Sequence, residues 1–226
     1  CYIYLEKKPE ALNAFKSASE MDFSLEIKED TWLNYAKLSY QIGNSYQSAP
    51  EVLLSFIEAF PNNENNTELK DLLIDSYITS KNYQSALDLL ENNKSFQNKL
   101  AYQKVTFFRG LELYSEGNYR DGIELFNKSL SEPRDASFTA RATFWKAECD
   151  YQLSNFDQSL IGYKQFVQLP NSNETPETGN LDYNLAYNYF KLKNYSEAIN
   201  SFNKYVSKKN INASQKKDAY VRLGDS

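Results

Sequence analysis

The chain has 226 residues, 41% of them hydrophobic, and a net charge of −5. This length allows one or two domains with a packed core, whereas the acidic balance argues against a nucleic-acid-binding protein, which needs a basic surface. Histidine is absent, which removes the usual Ser-His-Asp and Cys-His catalytic systems and most zinc sites.

Six similar segments follow one another along the chain at intervals of 36–39 residues, each centred on a small residue. The small residues are Ala11, Ala49, Ala86, Gly122, Ser159 and Ala198. Three residues before most of them stands an aromatic residue, namely Tyr46, Tyr83, Tyr119, Phe156 or Tyr195. Four residues after them stands a large residue, namely Phe15, Leu53, Leu90, Phe126, Tyr163 or Phe202. Residues at these spacings share one helix face, so each segment is predicted to be a helix that a neighbour approaches closely at the small residue.

A second helical pattern precedes each segment, and a short joint separates the two helices. The joints at 117–118, 154–155 and 193–194 contain Gly or Asn, which tolerate the left-handed conformation that ends a helix. Pro61, Pro133 and Pro170 follow the second helices, where a helix cannot continue. Each repeat is therefore predicted to be a helical hairpin.

The spacing resembles that of the tetratricopeptide repeat, whose signature is W-x2-L-G-x2-Y…A-x3-F…P. One unit carries it as Asp182, Leu185, Ala186, Tyr189, Ala198 and Phe202. The resemblance implies an all-α fold, a right-handed α-α superhelix of about five full hairpins with partial units at both ends. We expect one solenoid over 1–226, an excerpt of a longer array because neither end has a polar cap. The predicted units are 1–28, 29–66, 67–102, 103–139, 140–178, 179–212 and the partial 213–226.

The long period is similar to that of bacterial outer-membrane assembly lipoproteins and of periplasmic proteins associated with the Tol–Pal system. This narrower resemblance implies a scaffold in a bacterial cell-envelope complex, periplasmic or associated with the outer membrane; a cytoplasmic location stays open. Cys1 raises the alternative of a lipidated N-terminus, although a helical pattern follows it at once. Cys149, within a helical pattern, is predicted to be a small buried residue.

In the tetratricopeptide family the first helices of the hairpins line the concave groove in which partners usually bind. Carried over to this chain, that rule selects a partner-binding groove rich in aromatic residues. Its candidate residues are Phe107, Leu111, Tyr114, Phe144, Glu148, Tyr151, Tyr183, Tyr187 and Phe190. Exposed aromatic clusters are good anchors for a partner peptide. The alternative is that these aromatic residues pack between the helices.

The predicted function is that of a non-catalytic scaffold for a protein or peptide partner, with no cofactor, metal, nucleic acid or membrane span. Two alternatives stay open: an envelope adaptor that binds peptidoglycan or another carbohydrate, and a regulatory part of a larger enzyme. The insertion at 169–180 explains the longest interval between segments and is predicted to be an ordinary polar loop.

Overall fold

The computed structural model describes residues 2–21, 24–209 and 211–225, and in this part of the chain every regular element is helical. The prediction of an all-α fold is confirmed. The helices are α1 Lys8–Ser19, α2 Leu25–Ile42, α3 Ala49–Ala59, α4 Asn66–Thr79, α5 Tyr83–Asn92, α6 Lys99–Ser115, α7 Tyr119–Ser131, α8 Ala136–Gln152, α9 Phe156–Gln168, α10 Leu181–Lys191, α11 Tyr195–Ser207 and α12 Ala213–Asp225. Cys1, with its possible lipidation, lies outside the described residues.

The helices belong to two compact units, Cys1–Gln97 and Asn98–Ser226. In the first unit, consecutive helices from α1 to α5 pack against each other. Its core is built from aliphatic and aromatic residues such as Leu53, Phe56, Leu69 and Leu73, none of which is exposed to solvent. The second unit contains the hairpins α6–α7, α8–α9 and α10–α11, followed by α12. No described helix has both the length and the apolar composition that a bilayer crossing requires.

The start of α3 differs from the predicted register. Ser48 caps this helix through a capping box with Glu51, which fixes the first helical residue at Ala49. Tyr46, predicted to share a helix face with Ala49, therefore lies outside the helix and is 56% exposed. Val52 takes the buried position that was assigned to Ala49. The residue at which a helix begins decides which later residues face the core, and here the helix begins at Ala49.

The helices α4, α6, α8 and α10 end in the same way. At the end of α10, the Lys193 amide donates to the Phe190 carbonyl at 3.0 Å and the Asn194 amide to the Tyr189 carbonyl at 2.9 Å, as in a Schellman motif. Lys193 has a φ of 59°, and Lys81, Gly117 and Ser154 are its left-handed equivalents at the other joints. The Asn after each of these residues has a negative φ and occupies the N-cap position of the next helix.

Small residues allow close helix contacts both within the predicted register and outside it. At Gly122, which belongs to the register, an added Cβ would lie 3.3 Å from Cys149 Sγ and 3.5 Å from the Gly110 carbonyl oxygen. Two further close contacts involve glycines outside the register. Gly110 of α6 leaves room for the ring of Phe126 from α7, and Gly162 of α9 lies against Ala147 of α8. Cys149 is fully buried, as predicted.

We expect Gly162→Ala to destabilise the protein by about 1 kcal/mol. A Cβ at this position would lie 2.7 Å from the Ala147 Cβ, and the overpacking cost of about 1–3 kcal/mol exceeds the gain of about 1 kcal/mol in helix propensity. Urea unfolding followed by circular dichroism measures the change. Gly224→Ala is the matched control, because no atom lies within 4 Å of its added methyl group; this variant should be as stable as the wild type or slightly more stable. Equal stabilities of the two variants would contradict the close contact.

Candidate functional site

Two adjoining pockets lie along the first helices of the second unit. The tyrosine pocket has a volume of about 270 Å³ and is lined by Glu148, Tyr151, Gln152, Tyr163, Tyr183, Asn184 and Tyr187. The carboxylate pocket has a volume of about 400 Å³ and is lined by Tyr114, Phe144, Trp145, Glu148, Pro176, Glu177, Asn180, Asn184 and Gln215. Glu148 and Asn184 line both pockets. Helical spacing aligns the contributors, because Phe144, Glu148 and Tyr151 share one face of α8.

The tyrosine pocket is ordered by hydroxyl hydrogen bonds. The Tyr183 hydroxyl donates to Asp218 Oδ2 at 2.8 Å, the Tyr187 hydroxyl donates to the same oxygen, and Arg222 Nε donates to the Tyr187 oxygen at 3.2 Å. Burial and the acceptor Asp218 raise the pKa of both tyrosines. Both phenols therefore keep their protons at neutral pH, and their half-buried rings line the pocket wall as neutral groups.

Glu148 is a buried acid whose hydrogen-bond donors are neutral. It is 8% exposed, and its Oε1 accepts hydrogen bonds from the Tyr163 hydroxyl and from Asn184 Nδ2. No Lys or Arg in the described ranges forms an ion pair with it. Burial raises the pKa of Glu148, and the hydrogen bonds from Tyr163, Asn184 and Tyr114 oppose that shift. A burial this deep without a cation is costly for a carboxylate.

Glu177 is a second buried acid, and it comes from the insertion between α9 and α10. Its Oε1 accepts from Arg141 Nε at 2.9 Å and from Trp145 Nε1 at 2.8 Å. Its Oε2 is enclosed by the protein and accepts no hydrogen bond. The side chain is 4% exposed. One oxygen therefore anchors the insertion to α8, while the other lacks a donor.

The insertion is ordered rather than an ordinary polar loop. It contains two short 3-10 helices, Ser172–Glu174 and Pro176–Gly179. Lys208 holds its end by donating to the carbonyls of Thr178 and Gly179. These contacts place Glu177 at the carboxylate pocket.

The structure brings six of the nine predicted groove residues together around the two pockets. They are Tyr114, Phe144, Glu148, Tyr151, Tyr183 and Tyr187. Whether a partner contacts them stays a prediction.

The other three residues line neither pocket. Phe107 is completely buried beneath the Arg141 guanidinium, whose carbon lies 4.7 Å from the ring centre. Leu111 packs on the hydrophobic cluster that contains Phe107, and Phe190 packs on the cluster that contains Phe202. At these three positions the aliphatic and aromatic side chains fill the space between helices, and Phe107 provides no surface for a partner.

Eight residues that line the two pockets were not predicted from the sequence. They are Trp145, Gln152, Tyr163, Pro176, Glu177, Asn180, Asn184 and Gln215. Trp145 and Asn184 each stand next to a predicted residue, Phe144 and Tyr183, and a wider helix face would have included them. The only sequence signal for Glu177 was the longer repeat interval at the insertion. In the described part of the chain, no group of three or more Cys, Asp or Glu side chains could hold a metal ion.

Comparison with known proteins supports the fold. The tetratricopeptide repeat family model matches residues 181–208, which contain α10 and α11, and no curated protein matches the chain. The solved structure of the MamA RS-1 ArsTM double mutant is 13% identical to this chain. The two match over 78% of this chain and 92% of the MamA chain, with a TM-score of 0.53. A tetratricopeptide repeat protein from Parabacteroides merdae ATCC 43184 is 17% identical to this chain. The two match over 99% of this chain and 83% of the other chain, with a TM-score of 0.49.

The likeness to the MamA structure concerns the fold, and the family match concerns one hairpin. Together with the helices described above, they support the predicted resemblance at the level of the repeat. The chain thus has an all-α solenoid fold of helical hairpins, of which α10 and α11 match the tetratricopeptide repeat.

Proposed function

We propose that the chain is a non-catalytic interaction scaffold that binds a partner polypeptide at the tyrosine pocket and the carboxylate pocket. One observation carries the proposal: six side chains selected from the sequence as groove residues converge on two adjoining pockets. The match of α10 and α11 to the tetratricopeptide repeat supports it.

The composition of the pockets suits recognition of a polypeptide. Half-buried tyrosine and tryptophan rings offer large, rigid contact areas, which dominate the energy of many interfaces. The amides of Gln152, Asn180, Asn184 and Gln215 add donors and acceptors for a peptide backbone.

The narrower context is part of the same proposal. A place in a bacterial cell-envelope complex, periplasmic or associated with the outer membrane, is supported by the long repeat period alone. Cell fractionation of the source organism tests it, and recovery of the chain only with cytoplasmic markers would contradict it.

Gln152→Arg is expected to weaken peptide binding by at least about tenfold, equivalent to about 1.4 kcal/mol. Gln152 is exposed on the wall of the tyrosine pocket, so the longer side chain obstructs the pocket without disturbing the core. Short random peptides displayed on phage are selected on the full chain, and fluorescence anisotropy then measures the affinity of the selected peptides for each variant.

Gln158→Arg is the matched control for this experiment. It introduces the same charge at an exposed position of α9 that lines neither pocket. The control should keep its affinity within about twofold. Failure to select any peptide, or wild-type affinity of Gln152→Arg, would count against the proposed function.

A carbohydrate ligand is a second candidate, because the half-buried rings of Tyr151, Tyr183 and Tyr187 line one pocket and could stack on sugars. Co-sedimentation with purified peptidoglycan tests it. Sedimentation that Gln152→Arg abolishes and Gln158→Arg preserves would favour the carbohydrate; no sedimentation would favour the polypeptide.

A further inference from the structure

We propose that the carboxylate pocket binds an arginine side chain of the partner polypeptide, held by Glu148 and Glu177 and flanked by the rings of Tyr114 and Trp145. This inference rests on the proposed function and names the chemistry of the partner.

The first argument is an excess of acceptors over donors. Glu148 has only neutral donors, and Glu177 has one enclosed oxygen without any donor. A buried acceptor without a hydrogen bond destabilises the protein. A ligand that brings several N–H groups would recover that energy.

The second argument is charge. The lining of the carboxylate pocket contains two acids and no Lys or Arg among the described residues. Arg141 balances Glu177 from α8 at 2.9 Å, so Glu148 is left as the uncompensated carboxyl group. A cationic group of single charge matches this balance, whereas an anionic ligand would be repelled.

The third argument is the pair of aromatic rings. Tyr114 and Trp145 meet edge to face with their ring centres 4.9 Å apart. The ring centre of Phe144 lies 5.7 Å from that of Trp145. Tryptophan and tyrosine faces attract cations. Guanidinium is planar, weakly hydrated and rich in donors, and it stacks on aromatic rings, so it fits this lining better than the compact ammonium group of lysine.

Two synthetic peptide libraries test the inference on the full chain. In one library every short peptide carries a central arginine; in the other, citrulline replaces it and keeps the shape without the charge. We expect the arginine library to bind at least about tenfold more tightly, a difference of about 1.4 kcal/mol, in equilibrium capture and anisotropy measurements.

Variants of the pocket complete the test. Glu148→Gln should lose most of the preference for arginine over citrulline while staying folded, because glutamine keeps an acceptor for Tyr163 and Asn184. Glu177→Gln tests the second acid independently: the preference for arginine over citrulline should fall in this variant too. Circular dichroism checks that the variant is folded. Glu124→Gln, at an exposed position of α7 outside both pockets, is the control for charge and should keep the full preference.

The outcomes separate this inference from the proposed function. Equal binding of the two libraries, or an unchanged preference in Glu148→Gln, overturns the arginine site and leaves the scaffold standing. No binding of either library overturns both. N-acetylarginine amide that binds as tightly as the best peptides would make the ligand a small cation and overturn the assignment to a polypeptide.

Discussion

Replacement of Ala198 by tryptophan should destabilise the protein by about 3 kcal/mol. Ala198 is completely buried in α11, in a cluster with Ala186 of α10, Ala219 of α12 and the rings of Phe202 and Tyr205. An indole at this position can be accommodated only if the three helices move apart. A loss of this size corresponds to a fall of about 6–12 °C in Tm for a protein of this length, which calorimetry would detect.

The control is Ala213→Trp. Ala213 is the first residue of α12 and is exposed, and exposed substitutions usually change stability by no more than about 0.5 kcal/mol. A neutral effect of Ala198→Trp would show that the small-residue register of α11 is wrong.

Glu148→Gln is expected to stabilise the protein at pH 8 by roughly 1–3 kcal/mol, the usual cost of burying a polar group without full compensation. Burial raises the pKa of Glu148 in the folded protein. The folded carboxyl therefore holds its proton at pH values at which the unfolded carboxyl has lost it.

The sign of the pH dependence follows from this difference. The contribution of Glu148 to stability is fully present below the ordinary glutamate pKa of about 4.5 and is lost as the pH rises through the raised folded pKa. The advantage of glutamine should thus be small near pH 4.5 and grow towards pH 8. Tyr114, Cys149 and Tyr163, which interact with Glu148, keep their protons throughout, because burial raises the pKa of Tyr114 and Cys149 to about 12 and that of Tyr163 still further.

Urea unfolding near pH 4.5 and at pH 8 measures the difference in the free energy of unfolding. Glu124→Gln is the control and should show no gain in stability that depends on pH. Loss of stability in Glu148→Gln at pH 8 would mean that the ionised carboxyl holds the fold together. A gain, combined with the loss of arginine binding, would identify Glu148 as a residue kept for recognition at the expense of stability.

Much of the architecture could be predicted from short-range spacing. The residues Ala86, Gly122, Ser159 and Ala198 are buried as expected, because a helix places every third and fourth residue on one face. The error at α3 also has a local cause, the capping box of Ser48 and Glu51, and this motif was present in the sequence.

The candidate site was only partly predictable. The rule that first helices line the groove selected Tyr114, Glu148 and Tyr187, which line the pockets; their contact with a partner stays a prediction. The same rule also selected Phe107, which is completely buried. A helix contacts neighbours on two sides, and its residue types do not distinguish the side that faces another helix from the side that faces a pocket.

The sequence by itself determined the all-α fold, the helical hairpins and the small-residue contacts, because each depends on spacing within one helix or one joint. The tertiary structure alone decided which residues the buried acids Glu148 and Glu177 contact. Glu177 meets Arg141 and Trp145, and Glu148 meets Asn184, across more than thirty residues of chain. No local pattern encodes these pairings, because the packing of α8 against the ordered insertion and α10 creates them.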